Sequence, residues 1–436
     1  MHAGIRHGFG RAVLLATALA GADAAAAAEL NYSLEMALGH SDNINQSGTD
    51  PVDQSLLIPR LNFDFLEEGS SFRARAVGRV EYRDYLGGAF GNEVRGQLAG
   101  VATWMILPQR LNFDFEDYAA VQPVNILAPN TPNNQQQTNV LTLGPTFNFR
   151  LDPTLNGQAE MRLTDSTASQ TKEFNSQRVL AALRAIKDLS TLDHRSANIE
   201  AQRVHFSDPS GGPDYDRVDG YARYQKKLTQ LDLDLALGYS RVSFDGAGER
   251  SAPTAHGSVT WRATPMNTLS FGVVRRYSDA TQDMAVDPGA LVATTLGSGI
   301  VVGTATVTSQ VYLEKRFESS YVFHDDRLQA RIAPYYRTLD YLLDPTIDQR
   351  AHGMTAGVSY RARPLWTVAF DANEETREYA SIRRRDEDLR LDLSFTDQLS
   401  RHWAWRFDLI RNERHTDVAD QGFGENVVFF TLIFKR

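Results

Sequence analysis

In several segments of this sequence, charged side chains occupy every second position, where they could bind a solute or each other through ion pairs and hydrogen bonds. Between residues 72 and 83, Arg73, Arg75, Arg79 and Arg83 share one row, and the intervening row is apolar or small. Successive side chains of a β-strand point to opposite faces, so the four arginines lie on one face. Because an arginine facing lipid in a membrane barrel costs ~2–4 kcal/mol, the arginine row is predicted to face a watery interior or the solvent.

The same alternation recurs in other segments with either sign of charge. A lining that carries both signs selects solutes weakly by charge unless one sign clusters at a constriction. The alternative is that these residues pair across neighbouring strands and keep the interior solvated or filled. The predicted pore-lining residues are Arg60, Asp64, Arg73, Arg75, Arg79, Arg83, Asp114, Glu116, Asp232, Asp234, Asp388, Arg390, Asp392, Arg406 and Asp408.

Catalytic and metal-binding patterns are not found in the sequence. The histidines after residue 28 show no pair at metal-ligand spacing, and the chain has no cysteine. His40 precedes Ser41, but there is no Gly-x-Ser-x-Gly motif, so a strand-end turn is the better interpretation. His324 and the two aspartates after it are likewise best explained by a tight turn. The sequence therefore predicts neither an enzyme nor a cofactor.

The elements that position the charged rows are predicted to be β-strands of about ten residues. Such runs are longer than the ~5–6 residues of an average strand in soluble proteins and match a transmembrane β-strand of ~9–11 residues. Short connections with proline, such as residues 108–109 and 152–153, alternate with long polar ones, such as 122–137 and 281–304. The pattern predicts an all-β fold, a transmembrane antiparallel up-and-down barrel of about 16–20 strands. Its short turns are expected in the periplasm and its longer loops outside the cell.

The last twelve residues, 425–436, are predicted to form the strand that closes the barrel by pairing with residues 29–40. One apolar row of this strand is Val428, Phe430, Leu432 and Phe434. A strand this apolar would promote aggregation at an open sheet edge, so both of its edges are expected to be paired. The other row contains Phe429 and Ile433, which is unusually apolar for a water-filled pore. Either a loop or plug packs that sector, or the two rows are assigned to the wrong faces.

The amino terminus has the composition of a secretory signal peptide. Residues 1–28 contain two arginines, an apolar core at 12–20 and an alanine-rich end, and residues 29–436 are then a single barrel domain. Removing Arg6, Arg11 and Asp23 leaves 43 basic and 53 acidic residues, a net charge of −10, which argues against binding to nucleic acid. The expected location is the outer membrane of a Gram-negative bacterium, and the expected partners are outer-membrane lipid, lipopolysaccharide and the barrel-assembly machinery.

Aromatic residues near the predicted strand ends fit the two girdles that a barrel places at the membrane interfaces. The alternative is that they are ordinary core residues. The eight residues of this set are Tyr82, Tyr85, Trp104, Tyr118, Trp261, Tyr277, Tyr360 and Trp366.

The segment LEMALGHSDNI, residues 34–44, resembles the Gly-x-x-x-Asn-Ile opening of β-barrel porins encoded in bacterial exopolysaccharide and capsule loci. Residues 143–146 and the aromatic last strand are similar to the same family. The resemblance implies an outer-membrane barrel that passes or helps to export a polysaccharide, with polysaccharide-export components as partners. The chain departs from the usual barrel ending because Lys435 and Arg436 follow Phe434.

These observations predict an outer-membrane pore, either a porin-like channel or a barrel associated with polysaccharide export and secretion. One alternative is a soluble exported all-β protein, a sandwich or a propeller. Another is a barrel enzyme acting on lipid or polysaccharide, which would need a converged acid, base or nucleophile set that the sequence does not contain.

Overall fold

The structure is a computed structural model that describes residues 28–208, 210–285 and 307–436. The predicted signal peptide lies outside the described residues, apart from its last residue. Twenty strands are found in the described chain: β1 Glu29–Ser41, β2 Gln54–Glu68, β3 Phe72–Tyr85, β4 Glu93–Leu107, β5 Leu111–Pro123, β6 Gln135–Asp152, β7 Leu155–Ala168, β8 Ser176–Ser190, β9 Asp193–Phe206, β10 Tyr215–Lys227, β11 Leu231–Phe244, β12 Gly248–Thr264, β13 Asn267–Ser278, β14 Tyr312–His324, β15 Leu328–Tyr341, β16 Gln349–Arg363, β17 Trp366–Tyr379, β18 Arg384–Gln398, β19 Trp403–Thr416 and β20 Phe423–Lys435.

Helical structure in the described residues is limited to single turns in the connections. The α-helix α1 spans Ala280–Asp283, and its preceding residue Asp279 accepts a hydrogen bond from the Gln282 backbone N–H at 3.0 Å. This is the N-cap arrangement that satisfies a free donor of the first turn. Three short 3₁₀ helices lie at Pro132–Asn134, Lys172–Phe174 and Pro345–Ile347.

Each strand pairs with its neighbours in the chain in antiparallel orientation, and β20 pairs with β1, so the sheet closes into a barrel. The register at the closure runs from Ser33 opposite Lys435 to Ser41 opposite Val427. Closure leaves no exposed sheet edge and pairs the apolar last strand on both sides. The predicted all-β antiparallel barrel is confirmed, with a strand number at the upper limit of the expected range.

The two ends of the barrel have connections of different length. At the end that also holds both termini of the barrel, the turns are two to four residues long. At the other end, the connections are three to 33 residues long, and the longest joins β13 to β14. We call these the turn end and the loop end. The predicted alternation of short and longer connections is confirmed, and the tight turn at His324 is the connection between β14 and β15.

The two side-chain rows of a strand differ in exposure. On β1, the side chains of Leu34, Met36 and Leu38 are about half exposed, at 49, 48 and 54%, whereas Ala37 in the other row is fully buried. Large exposed apolar side chains of this kind occur on every strand except β5. The row with exposed apolar residues is the outer surface, because the other row contacts the segments that project into the barrel, as described below.

Large buried side chains concentrate at the loop end. The eleven largest side chains that are fully buried each lie in a loop-end connection or within five residues of the loop end of a strand. They include Tyr215 and Tyr312, the first residues of β10 and β14. Among the described residues, the core therefore lies inside the barrel near the loops.

The five tryptophans of the chain all lie near the turn end, and Trp104, Trp261 and Trp403 are nearly half exposed. This agrees with an aromatic girdle on the outside of that end. Tyr85, Tyr118 and Tyr277 were included in the predicted girdles but are at most 5% exposed. The prediction is wrong for these three tyrosines, because they lie in the packed clusters at the loop end.

The Gly-x-x-x-Asn-Ile segment contacts β20 and its neighbourhood where the barrel closes between β1 and β20. A β-carbon added at Gly39 would overlap the Phe429 ring of β20. The Asn43 carboxamide donates hydrogen bonds to the Ser47 and Gly424 carbonyl oxygens, at 2.8 and 2.9 Å. Ile44 and Phe429 pack against the same apolar cluster on β1, β2 and β3. These residues therefore have a structural role in closing the barrel.

The apolar inner row of β20 is accommodated by the neighbouring wall. Phe429 packs beside the cluster of Ala37, Leu56, Ile58 and Tyr85, and Ile433 is 4% exposed. Val428, Phe430 and Leu432 of the other row are exposed on the outer surface. The rows are thus on the expected faces, and the inner one is covered by the barrel wall and by Ile44 and Phe90 from two loop-end connections.

The described residues contain no candidate for a membrane-spanning helix.

Candidate functional site: a charged lumen crossed by loop-end segments

A ladder of hydrogen-bonded charges crosses the inner wall from β5 to β10. Asp114 of β5 accepts a hydrogen bond from Arg162 of β7 at 2.7 Å, and Arg162 also lies 3.4 Å from Glu160. Arg184 of β8 bridges Glu160 and Glu200, the latter at 3.0 Å. The ladder ends at Tyr221 of β10, whose hydroxyl donates to Glu200 at 2.7 Å, so side chains as well as the backbone join this part of the wall.

A second charged cluster covers the inner faces of β1, β2 and β3. The Arg60 guanidinium lies 3.1 Å from Glu81 and 3.7 Å from Glu35. Arg83 donates to the other carboxylate oxygen of Glu81 at 2.7 Å, so one carboxylate holds two arginines. Arg79 donates to the Asn62 side-chain oxygen at 2.7 Å.

Several acidic residues on the remaining strands have arginine partners on adjacent strands or two residues away. Asp234 pairs with Arg223, and Asp232 pairs with Arg262. On β18 and β19, Asp388 is held by Arg414 at 2.6 Å. Ten of the fifteen predicted lining residues form ion pairs with partners in the described chain: Arg60, Arg83, Asp114, Asp232, Asp234, Asp388, Arg390, Asp392, Arg406 and Asp408.

The other five predicted residues have no ion pair within the described part of the chain. Arg79 donates a hydrogen bond to Asn62, and Glu116 accepts a 3.2 Å hydrogen bond from the Tyr118 hydroxyl. Asp64, Arg73 and Arg75 lie on β2 and β3. A role of the fifteen residues in lining a conducting pore remains a prediction.

Several members of the inner network were not identified from the sequence. Glu81 and Arg414 share the inner rows of β3 and β19 with predicted residues, whereas the others lie on strands for which no lining residue is predicted. What the sequence does not contain is the register that places opposite charges side by side. The principal residues of this group are Glu35, Glu81, Glu160, Arg162, Arg184, Glu200, Arg223, Arg377 and Arg414.

The connection between β5 and β6 projects across the loop end. We call residues 124–134 the first crossing segment. The Arg384 guanidinium of β18 donates to the Leu127 carbonyl at 2.6 Å, and Arg414 of β19 donates to the Ala128 carbonyl at 3.3 Å. Counted through the β1–β20 closure, β5 and β18 are seven strand positions apart. Only a segment that passes over the lumen can contact both walls.

The connection between β13 and β14 also enters the lumen, and we call its described residues 279–285 and 307–311 the second crossing segment. Asp279 forms a 2.6 Å ion pair with Arg178 of β8, five strand positions away from β13. Both side chains are buried, at 4 and 8% exposure. Met284 and Val307 pack in one cluster with residues of β3 to β7. The second crossing segment is therefore fixed against the far wall.

The Asp279 carboxylate accepts hydrogen bonds from more than one buried side chain. Besides Arg178, it accepts a 2.7 Å hydrogen bond from the Tyr215 hydroxyl. Burial, the largest influence, acts to raise its pKa, but the Arg178 charge and the hydrogen bonds from Arg178 and Tyr215 outweigh it. The pKa of Asp279 is consequently lowered, and the residue is charged at neutral pH.

Among the described residues, no three histidine or acidic side chains are grouped closely enough to hold a metal ion. The interactions that the described site offers are hydrogen bonding, ion pairing and steric closure.

No protein-family model matches this chain, and no characterised protein matches it in sequence. Among solved structures, it is similar to a mutant of the ferric enterobactin receptor PfeA of Pseudomonas aeruginosa, with 10% identity, a TM-score of 0.48 and coverage of 94% of this chain and 81% of the receptor. The siderophore receptor PirA of the same organism matches with 12% identity, a TM-score of 0.42 and coverage of 93 and 80%. The iron transporter FrpB of Neisseria meningitidis matches with 10% identity, a TM-score of 0.44 and coverage of 93 and 82%. The fold and the site are defined by this chain's own strand pairing and side-chain contacts.

Proposed function

We propose that the protein is an outer-membrane β-barrel channel for hydrophilic solutes whose lumen is closed at the loop end by its own crossing segments. The observation that carries the proposal is the buried contact between Arg178 and Asp279, which fixes a loop-end segment against the opposite inner wall. On the turn-end side of that closure, the charged ladder offers hydrogen-bonding groups to a polar solute.

The width of the barrel supports a channel. Barrels of 16–18 strands leave an aqueous pore, and barrels of 22 strands hold a plug, whereas barrels of about eight strands are filled by side chains. Twenty strands enclose more space than the wall side chains fill, and the described crossing segments occupy only the loop-end part of it. In this proposal, the turn-end part holds water.

The exposed apolar surface supports a position in a bilayer. Half-exposed leucine, methionine and aromatic side chains surround the barrel, and tryptophans mark one end. In lipid these groups would be buried, while the charges of the inner rows would remain on the watery side. A cleaved signal peptide at residues 1–28 and an orientation with the loop end outside the cell are parts of the same proposal.

Polysaccharide transport or export is a narrower form of this proposal, since it is what the resemblance of residues 34–44 implies. In this chain, Gly39 and Asn43 have contacts that close the barrel, so the motif supports the barrel more directly than the substrate. We keep the solute at the level of a hydrophilic molecule.

Conductance across planar lipid bilayers tests the channel. The wild type is expected to give small or rare conductance steps because the loop end is closed. Met284→Asp places a charge in the apolar cluster that holds the second crossing segment, and a buried unpaired charge is strongly unfavourable. This variant is expected to give larger and more frequent steps.

The matched control is Met266→Asp in the turn between β12 and β13, where the methionine is 50% exposed. It is expected to conduct like the wild type. Recovery of the wild type as a soluble periplasmic protein would contradict the membrane position. An absence of conductance from Met284→Asp, with the protein folded in the membrane, would contradict the channel.

A further inference from the structure

Two opposite charges without a partner face the lumen near the turn end. Ile332 and Tyr336 of β15 are exposed on the outer surface, so Arg331 belongs to the inner row. Phe370 of β17 is also on the outer surface, which places Asp371 in the inner row. Arg331 and Asp371 are both exposed, and neither has a hydrogen bond or an ion pair within the described residues. Both side chains are therefore accessible to a solute in the lumen.

Gly357 of β16 lies between these two residues in the sheet. It is the register partner of Arg331 on one side and of Asp371 on the other. Neighbouring strands are about 4.7–4.9 Å apart, so the α-carbons of the two charged residues are about 10 Å from each other. A β-carbon at Gly357 would come 2.7 Å from an Asp371 carboxylate oxygen, so this carboxylate lies beside the glycine.

The wall around Gly357 is built of small side chains. Ala333 and Ser359 hold adjacent inner positions on β15 and β16, and Ala369 does so on β17. A glycine inside a strand often marks a place where another molecule approaches the backbone closely. The wall between the two charges is therefore low enough to seat a small solute.

A second carboxylate adds negative charge beside Asp371. Asp392 of β18 is directly opposite Asp371 in the register, and like charges in this position destabilise a sheet. Arg390 lies 3.3 Å from one Asp392 oxygen, which compensates that residue only in part. A cation bound by Asp371 would offset the repulsion between the two carboxylates.

The arrangement differs from the ladder across β5 to β10, where arginines and carboxylates compensate each other within the wall. At Arg331 and Asp371, a solute with a single charge is attracted by one group and repelled by the other. A solute that carries both an ammonium and a carboxylate is attracted by both groups.

We propose that Arg331, Gly357 and Asp371 form a lumen-wall site for a small zwitterion with one ammonium and one carboxylate, and we call it the zwitterion site. The Arg331 guanidinium donates to the solute carboxylate, for which its planar fork is suited. The Asp371 carboxylate accepts hydrogen bonds from the ammonium, and the solute lies over Gly357. The site deepens the proposed function, on which it rests for the water-filled lumen, by naming a class of hydrophilic solute.

Saturation-transfer-difference NMR of the detergent-purified full-length protein tests the zwitterion site. The probes are 4-aminobutyrate, which carries both charges, butyrate, which lacks the ammonium, and butylamine, which lacks the carboxylate. The dissociation constant of 4-aminobutyrate is expected to be about tenfold lower than that of either single-charge probe, because each of these loses one set of charge-assisted hydrogen bonds.

Two variants remove one charge each with little change in size. After Arg331→Gln, 4-aminobutyrate is expected to bind no more tightly than butylamine. After Asp371→Asn, it is expected to bind no more tightly than butyrate. A general disturbance of the fold would not produce this specific loss of preference. The matched controls, Arg401→Gln and Asp326→Asn in exposed turns, are expected to keep the tenfold preference.

Equal dissociation constants for the three probes in the wild type would overturn the proposal, as would an absence of binding by all three. A preference for 4-aminobutyrate that both Arg331→Gln and Asp371→Asn retain would also overturn it. Binding is measured in detergent, so a failure of the channel is seen separately. If Met284→Asp did not conduct, the tenfold preference and its loss in the two variants would still support the zwitterion site.

Discussion

The two halves of the barrel interior are built from the same alternating strands but are packed differently. At the loop end, the inner ion pairs of Arg178 with Asp279 and of Arg384 with Asp386 are buried. At the turn end, the inner pair of Arg262 with Asp232 is 43 and 33% exposed. The largest fully buried side chains all belong to the loop-end half.

The difference follows from the length of the connections. A turn of two to four residues spans at most about 3.3–3.6 Å per residue and cannot reach the opposite wall. The 11 residues between β5 and β6 and the 33 between β13 and β14 can do so. Crossing of the lumen is therefore a property of two long connections, and the strands alone specify a cylinder without such contacts.

Breaking the buried ion pair of the second crossing segment is the strongest test of this contrast. Arg178→Met leaves Asp279 buried without its cation, and removal of one partner of a buried pair costs about 3–5 kcal/mol. We expect the crossing segment to leave the wall and the single-channel conductance to rise to an open level. Bilayer recordings of the purified variant measure this change.

Arg203→Met is the matched control on the neighbouring strand β9. Arg203 pairs with Asp216 and Asp245, but all three side chains are about half exposed, and exposed pairs contribute about 0–1 kcal/mol. Its conductance should equal that of the wild type. If Arg178→Met also conducts like the wild type, the buried pair does not keep the lumen closed.

Acid should open the same contact with a smaller effect. The pKa of Asp279 is lowered in the folded protein, so its contribution to closure is complete above the ordinary aspartate pKa of 3.8. The contribution is lost as the pH falls through the lowered value. Conductance is expected to be constant from about pH 7 to pH 5 and to rise below about pH 4.

Asp279→Asn provides the comparison for the acid effect. The variant lacks the titrating carboxylate, so its conductance should already be raised at neutral pH and should change less on acidification. A wild-type rise in conductance between about pH 7 and pH 5 would exclude Asp279 as the responsible group, because its pKa lies lower.

The barrel and the faces of its strands could be predicted from the sequence, because a period of two fixes which residues share a face. The rows of β18 and β20 are examples, and so is the closure of β20 on β1. The partners of the charged residues could not be predicted, since they depend on the register between strands. Asp279 was missed because its partners Arg178 and Tyr215 lie on distant strands, which no local pattern reveals.

The smallest expected effect concerns the closing seam, where the loop-end half is again the more tightly packed. Gly39 lies against Phe429, and a methyl group at this position would overlap the ring. Gly39→Ala is therefore expected to destabilise the barrel by about 1–3 kcal/mol through overpacking. The temperature at which the folded form is lost in a heat-modifiability gel should fall.

Gly220→Ala on β10 is the matched control, because a β-carbon there meets no atom within 4 Å. This change should leave the temperature equal or slightly higher. Equal transition temperatures for the two variants would mean that the seam is not constrained by the contact between Gly39 and Phe429.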